Sequence, residues 1–104
     1  ADLAAAGFDA AAPVVIVWEG VMNYLDDVAC DRSLRWIAAL GGPGSRLVFD
    51  YPVSRFDPEA LQSRIAAAGF AWLDDASLAD VYGRYLVGDP PAGSELYRLA
   101  VAWR

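Results

Sequence analysis

Five apolar residues in a row, Val14-Val15-Ile16-Val17-Trp18, follow Pro13 and end abruptly at Glu19-Gly20. Their β-branched character and the lack of alternation predict a short strand buried on both faces, as in a parallel sheet. Such a strand needs helices around it, and the following segments supply them. Asp26 and Asp27 can cap a helix running to about Leu40, whose stripe Cys30, Leu34, Ile37 and Ala38 keeps 3.6-residue spacing. Gly41-Gly42-Pro43-Gly44 ends it. Leu47-Val48-Phe49 with Tyr51 predicts a second buried strand, closed by Pro52.

The alternation continues. Asp57-Pro58-Glu59 has the form of a helix start, with Leu61, Ile65 and Ala68 facing the core and Gly69 as its stop. Phe70 to Leu73 is a short strand, and Ser77 caps a third helix with the stripe Leu78, Val81, Tyr82, Tyr85 and Leu86. After the loop Gly88 to Ser94, Tyr97, Leu99, Val101 and Trp103 fall on one face of a final strand and Arg98 and Arg104 on the other. The order β-α-β-α-β-α-β predicts an α/β fold: an open, mostly parallel sheet of about four strands with helices on its faces, in one domain over residues 1–104. The opening from Ala1 to Ala6 is helix-like.

Composition narrows the chemistry. There is no His and one Cys, which excludes Ser-His-Asp triads, imidazole metal sites, multi-thiolate zinc sites and internal disulfides; no metal is expected. The formal net charge is −6, and every basic residue is Arg, which opposes extended contact with nucleic-acid phosphates. The longest apolar run, Ala10 to Trp18, is far short of the roughly 20 residues that span a bilayer, and no signal-peptide pattern opens the chain. A cytoplasmic protein without membrane contact is the expectation.

Ligands of open α/β sheets gather beyond the carboxyl ends of the strands. Here those ends are Trp18-Glu19-Gly20-Val21-Met22-Asn23-Tyr24-Leu25 and Asp50-Tyr51-Pro52. Glu19 reads either as a solvated strand-end carboxylate or as a ligand-holding acid, Gly20 as a turn residue or a close-approach point, and Tyr24 as packing or pocket wall. Asp50 has a structural and a functional reading. Asp26-Asp27 and Asp74-Asp75 read as cap and turn residues, and Cys30 as a buried small hydrophobe.

Leu3-Ala4-Ala5-Ala6-Gly7-Phe8-Asp9, Pro13, Trp18-Glu19-Gly20-Val21 with Asn23-Tyr24-Leu25, and Pro43-Gly44-Ser45-Arg46-Leu47-Val48-Phe49-Asp50-Tyr51 resemble the second half of the leucine carboxyl methyltransferase-like family. Gly69-Phe70 and Arg84-Tyr85-Leu86 extend the likeness. These are class I S-adenosylmethionine-dependent methyltransferases, among them bacterial O-methyltransferases. The resemblance implies a Rossmann-like sheet whose last strand is antiparallel, of which this chain supplies the fourth to seventh strands. It implies S-adenosylmethionine as cofactor, with Glu19 and Gly20 beside its methionine part. Asn23, Tyr24, Asp50 and Tyr51 are then the substrate-side residues, facing a small molecule methylated on a carboxylate or hydroxyl. The family's Gly-rich loop and ribose-holding acid have no counterpart here, and the Pro52 to Phe56 connection is shorter than in relatives. Either a missing N-terminal half or self-association is therefore expected to complete the sheet. The rival expectation is a non-enzymatic α/β module that self-associates through its first strand, whose edge would otherwise stay unpaired.

Overall fold

The computed structural model describes residues 2–104, apart from the Trp72 side chain. The elements are α1 (Asp2–Ala5), β1 (Val15–Trp18), α2 (Asp27–Ala38), β2 (Arg46–Pro52), α3 (Pro58–Ala68), β3 (Trp72–Ser77), α4 (Leu78–Tyr85) and β4 (Tyr97–Trp103). Of the helix-like opening, Ala1 lies outside the described residues, and one turn forms from Asp2.

Each longer helix begins at the expected cap. Asp26 accepts from the Ala29 amide at 2.7 Å, Asp57 from Ala60 at 3.1 Å and Ser77 from Asp80 at 3.0 Å. These bonds satisfy amide groups that have no partner inside the first helical turn. Gly69 closes α3 at φ 113°, a backbone region that suits glycine.

The sheet order is β1-β2-β4-β3, with β1 parallel to β2 and β4 antiparallel to both of its neighbours. Three strands thus point one way and the last strand points back, as expected. Paired residues share a face, so Leu47, Phe49 and Tyr51 lie on the same side as Ala102, Ala100 and Arg98. This side carries the core: Cys30, Leu34 and Ile37 of α2 and Leu61 and Ile65 of α3 are buried in one cluster with Leu47, Phe49, Tyr51, Ala100 and Ala102.

Three details differ from the sequence reading. β1 is not covered on both faces: Val15 is 63% and Val17 66% exposed, because β1 is an edge strand and no described helix covers its second face. β4 lies inside the sheet, and its core face is Ala100 and Ala102 rather than the bulkier alternating set. Leu99 and Val101 look to the opposite side, which α4 covers in part, and Arg46 there stacks 4.0 Å from the centre of the Trp103 ring. Finally, β3 starts later and runs longer than Phe70 to Leu73, so Asp74 and Asp75 are strand residues rather than turn residues. Their polarity masked the strand, and tertiary pairing with β4 overrode it.

No described helix is long and apolar enough to cross a membrane, and no cluster of metal-ligating side chains occurs among the described residues.

Candidate functional site

Because β1 and β2 are parallel and in register at Trp18 and Phe49, the carboxyl end of β1 lies beside Asp50, which is still within β2 and pairs with Leu99 of β4. Glu19, just past β1, and Asp50, still in β2, are the next residues along each chain, so two acids stand near each other where β1 ends. The Gly20 amide donates to Asp50 Oδ1 at 2.8 Å, tying the two ends across the gap. Gly20 holds φ +66°, and a Cβ added to it would meet nothing within 4 Å. The glycine therefore serves both a left-handed turn and an open approach to the backbone.

Beyond Gly20 the chain makes a single 3-10 turn, Met22–Tyr24. Met22 is fully buried and anchors the turn to the core, which leaves Asn23 and Tyr24 facing outward, Tyr24 at 87% exposure. A cleft of about 270 Å³ opens at the end of β1 on the face opposite the main core, lined by Val17, Trp18, Glu19, Asp50, Leu78 and Leu99 among others. Its walls are mostly apolar, and its two acidic side chains are Glu19 and Asp50.

The structure thus brings Glu19, Gly20 and Asp50 to one place, with Asn23 and Tyr24 on the adjoining turn. Tyr51 does not join them. It points to the other face and is fully buried, 6.0 Å from Phe49 and 6.4 Å from Phe56 between ring centres. Its hydroxyl donates to Asp75 Oδ2, and Arg98 Nε donates to Asp75 Oδ1 at 2.7 Å. Burial, reinforced by the hydrogen bond and negative charge of Asp75, pushes the Tyr51 phenol well above its ordinary value. The same carboxylate holds the Arg98 guanidinium charged. This linkage spans β2, β3 and β4 directly behind Asp50.

Leu78 and Leu99 were absent from the sequence-derived site. Both appear there only as members of apolar stripes, and nothing in the sequence says which face of the sheet those stripes meet. A larger cleft, about 360 Å³, lies between α2 and α3 beside Asp31, Ser63 and Arg64. It is a groove between packed helices, occupied at one end by the Asp31–Arg64 ion pair at 3.3 Å, and it is remote from the strand ends.

The leucine carboxyl methyltransferase family model matches residues 1–38. A Mycolicibacterium smegmatis protein provisionally named an S-adenosyl-L-methionine-dependent methyltransferase is 36% identical over 104 residues, covering 100% of this chain and 33% of the relative. A Mycobacterium avium protein of the same provisional name is 38% identical over 81 residues, 76% of this chain and 26% of the relative. The chain therefore spans about a quarter to a third of the length of these curated relatives.

Among solved structures, Haemonchus contortus phosphoethanolamine N-methyltransferase 1, in complex with phosphoethanolamine and S-adenosylhomocysteine, superposes with a TM-score of 0.60 at 20% identity, over 91% of this chain and 21% of its own. A Thermotoga maritima S-adenosylmethionine-dependent methyltransferase gives 0.61 at 13% identity, over 86% of this chain and 54% of its own. At such identities these two show the fold alone, and the fold is Rossmann-like. The resemblance to leucine carboxyl methyltransferases read from the sequence is borne out.

Proposed function

We propose that this chain is the C-terminal half of an S-adenosylmethionine-dependent methyltransferase domain that transfers a methyl group to a carboxylate or hydroxyl oxygen of a small molecule. The observation that carries the reading is the meeting of Glu19 and Gly20, at the carboxyl end of β1, with Asp50 of the neighbouring parallel strand over a mostly apolar cleft. Similarity to the mycobacterial relatives supports it.

The residues present fit one end of such a cofactor. Glu19 would accept charge-assisted hydrogen bonds from its ammonium group, and Gly20 leaves open space where a side chain would otherwise stand. The cleft, at about 270 Å³, lies just below the roughly 300–1,000 Å³ usual for small-molecule sites. It suits part of a nucleoside-sized ligand, the remainder being held by residues outside this chain. When bound, the cofactor supplies an electrophilic methyl group on a sulfonium.

What the chain's own residues contribute is position. In-line displacement at a methyl carbon depends mainly on holding donor and acceptor in contact and in line. The Gly20–Asp50 bond fixes where Glu19 leaves the sheet, and buried Met22 fixes how Asn23 and Tyr24 face the open side, where they would meet the acceptor. An acceptor that is already a carboxylate requires no general base, so the lack of His in these 104 residues is no objection.

The unpaired edge of β1 favours a second reading, a non-enzymatic module that self-associates through that strand. Calorimetry with S-adenosylhomocysteine separates the two. The first reading expects at most weak binding by the 104-residue chain. It expects firm binding by the full-length protein, reduced about tenfold or more by Glu19→Gln, the scale of a lost hydrogen bond to a charged group. Sub-micromolar binding by the short chain would contradict the claim that the main cofactor contacts lie elsewhere. No binding by the full-length protein would leave the second reading.

A further inference from the structure

The turn after β1 is pinned at its near end by Asp50, through Gly20, and at its far end by Arg55, three residues past β2. Arg55 Nη2 donates to the Leu25 carbonyl, immediately after the 3-10 turn. The same nitrogen stands 3.4 Å from Asp27 Oδ1 at the start of α2, and Arg55 Cζ lies 4.7 Å from the centre of the buried Phe56 ring. Phe56 thus seats the guanidinium. One planar group joins the connection that follows β2, the loop that follows β1, and the first turn of α2. A guanidinium is suited to this, because its donors are fixed in a rigid fork and are charged.

Between Gly20 and Asp26, the burial of Met22 and the packing of Leu25 against the core also hold the segment, and Tyr24 N–H donates to the Val21 carbonyl at 3.1 Å. The outward residues Asn23 and Tyr24 therefore sit on a short bridge held at Gly20, Met22 and Leu25, and Arg55 is the polar group that fixes its far end. We infer that Arg55 is a positioning residue for the Glu19–Tyr24 segment, holding it in the geometry that receives the cofactor and acceptor. The inference rests on the functional reading above and adds to it a residue that touches neither ligand.

Arg64 provides the internal control. It pairs with the same Asp27 at 3.4 Å and with Asp31 at 3.3 Å, yet bonds the Asp27 carbonyl rather than the loop carbonyl at Leu25. The test uses the full-length protein with S-adenosylhomocysteine as the probe. It compares wild type, Arg55→Ala, Arg55→Lys and Arg64→Ala by calorimetry, and follows amide exchange across residues 20–26. Arg55→Ala should weaken binding about fivefold. It should also speed exchange at residues 22–25, with Arg55→Lys intermediate. Arg64→Ala should bind like wild type even where its melting temperature falls.

Unchanged binding by Arg55→Ala would overturn the inference. So would equal weakening by Arg64→Ala, which would mean a general loosening around α2. Wild-type protein that binds no S-adenosylhomocysteine would instead overturn the reading on which the inference rests, and both would fall together.

Discussion

The amide of Gly20 donates to Asp50 Oδ1 at 2.8 Å, so the first residue after the β1 acid is tied to the acid of β2. The bond satisfies a backbone donor at the point where β1 loses its ladder partner, and it sets the direction in which the next five residues leave the sheet. Asp50→Ala should lower stability by about 1–2 kcal/mol, the scale of a lost part-buried hydrogen bond with an amide left unpaired. Asp50→Asn retains an acceptor and should lose less than half of that. Urea unfolding of the two variants, with amide exchange at Gly20, checks this; equal losses would mean that charge rather than hydrogen bonding holds the turn.

Tyr51 predicts a pH dependence. Its phenol titrates near 10 in the unfolded chain, whereas burial and Asp75 push it higher in the folded protein. Above pH 10 the folded state binds more protons than the unfolded state, so stability is complete below that pH and falls as pH rises toward the folded value. The Cys30 thiol, pushed up by burial, adds a slope of the same sign beginning at lower pH. Tyr51→Phe should therefore flatten the alkaline decline without abolishing it. Denaturation at a series of pH values measures this, and a variant curve parallel to wild type above pH 10 would show that Tyr51 does not titrate in that window.

Gly42 carries a packing constraint of another kind. A Cβ built there lies 2.1 Å from the Ala11 carbonyl oxygen, and its own amide donates to the Ala12 carbonyl at 2.9 Å. Backbone meets backbone here, so neither side can yield by changing a rotamer. Gly42→Ala should cost about 1–3 kcal/mol, in the range of overpacked interiors. Gly20→Ala, where space is open but φ is positive, should cost about 1–2 kcal/mol through backbone conformation alone. A thermal-melt comparison ranks them, and an undiminished melting temperature for Gly42→Ala would show that the approach of Ala11 can relax.

The parts legible in the sequence were those governed by local chemistry. Caps at Asp26, Asp57 and Ser77, the stop at Gly69, and the place where Glu19 leaves β1 all follow from short-range rules. Tyr51 and Asp75 did not, because their roles depend on β4 entering between β2 and β3, a non-local pairing that leaves no periodic trace. Arg98 is the same case: as a lone charge in an alternating strand it looked solvent-facing, yet it supports a buried tyrosine through a carboxylate on another strand. Alternation told that β4 has two faces. It could not tell which face met the core, since the core side is made of two alanines whose small size fits the helices above them.

Val17 offers a test of how much protein surrounds this sheet. At 66% exposure, its side chain makes little of the folding energy of the 104-residue chain, so Val17→Thr should change that chain's stability by less than about 0.5 kcal/mol. If further strands and helices cover β1 in the full-length protein, the same substitution buries a hydroxyl among apolar groups there and should cost about 1–3 kcal/mol. In a self-associating module it should instead raise the dissociation constant of the assembly while leaving the separated chain unaffected. Paired unfolding experiments on the short and full-length proteins, with sedimentation of the short one, separate these outcomes by sign and place. A neutral result in all three would mean that Val17, which lines the cleft beside Glu19, stays open to water and that no further element packs on this face of β1.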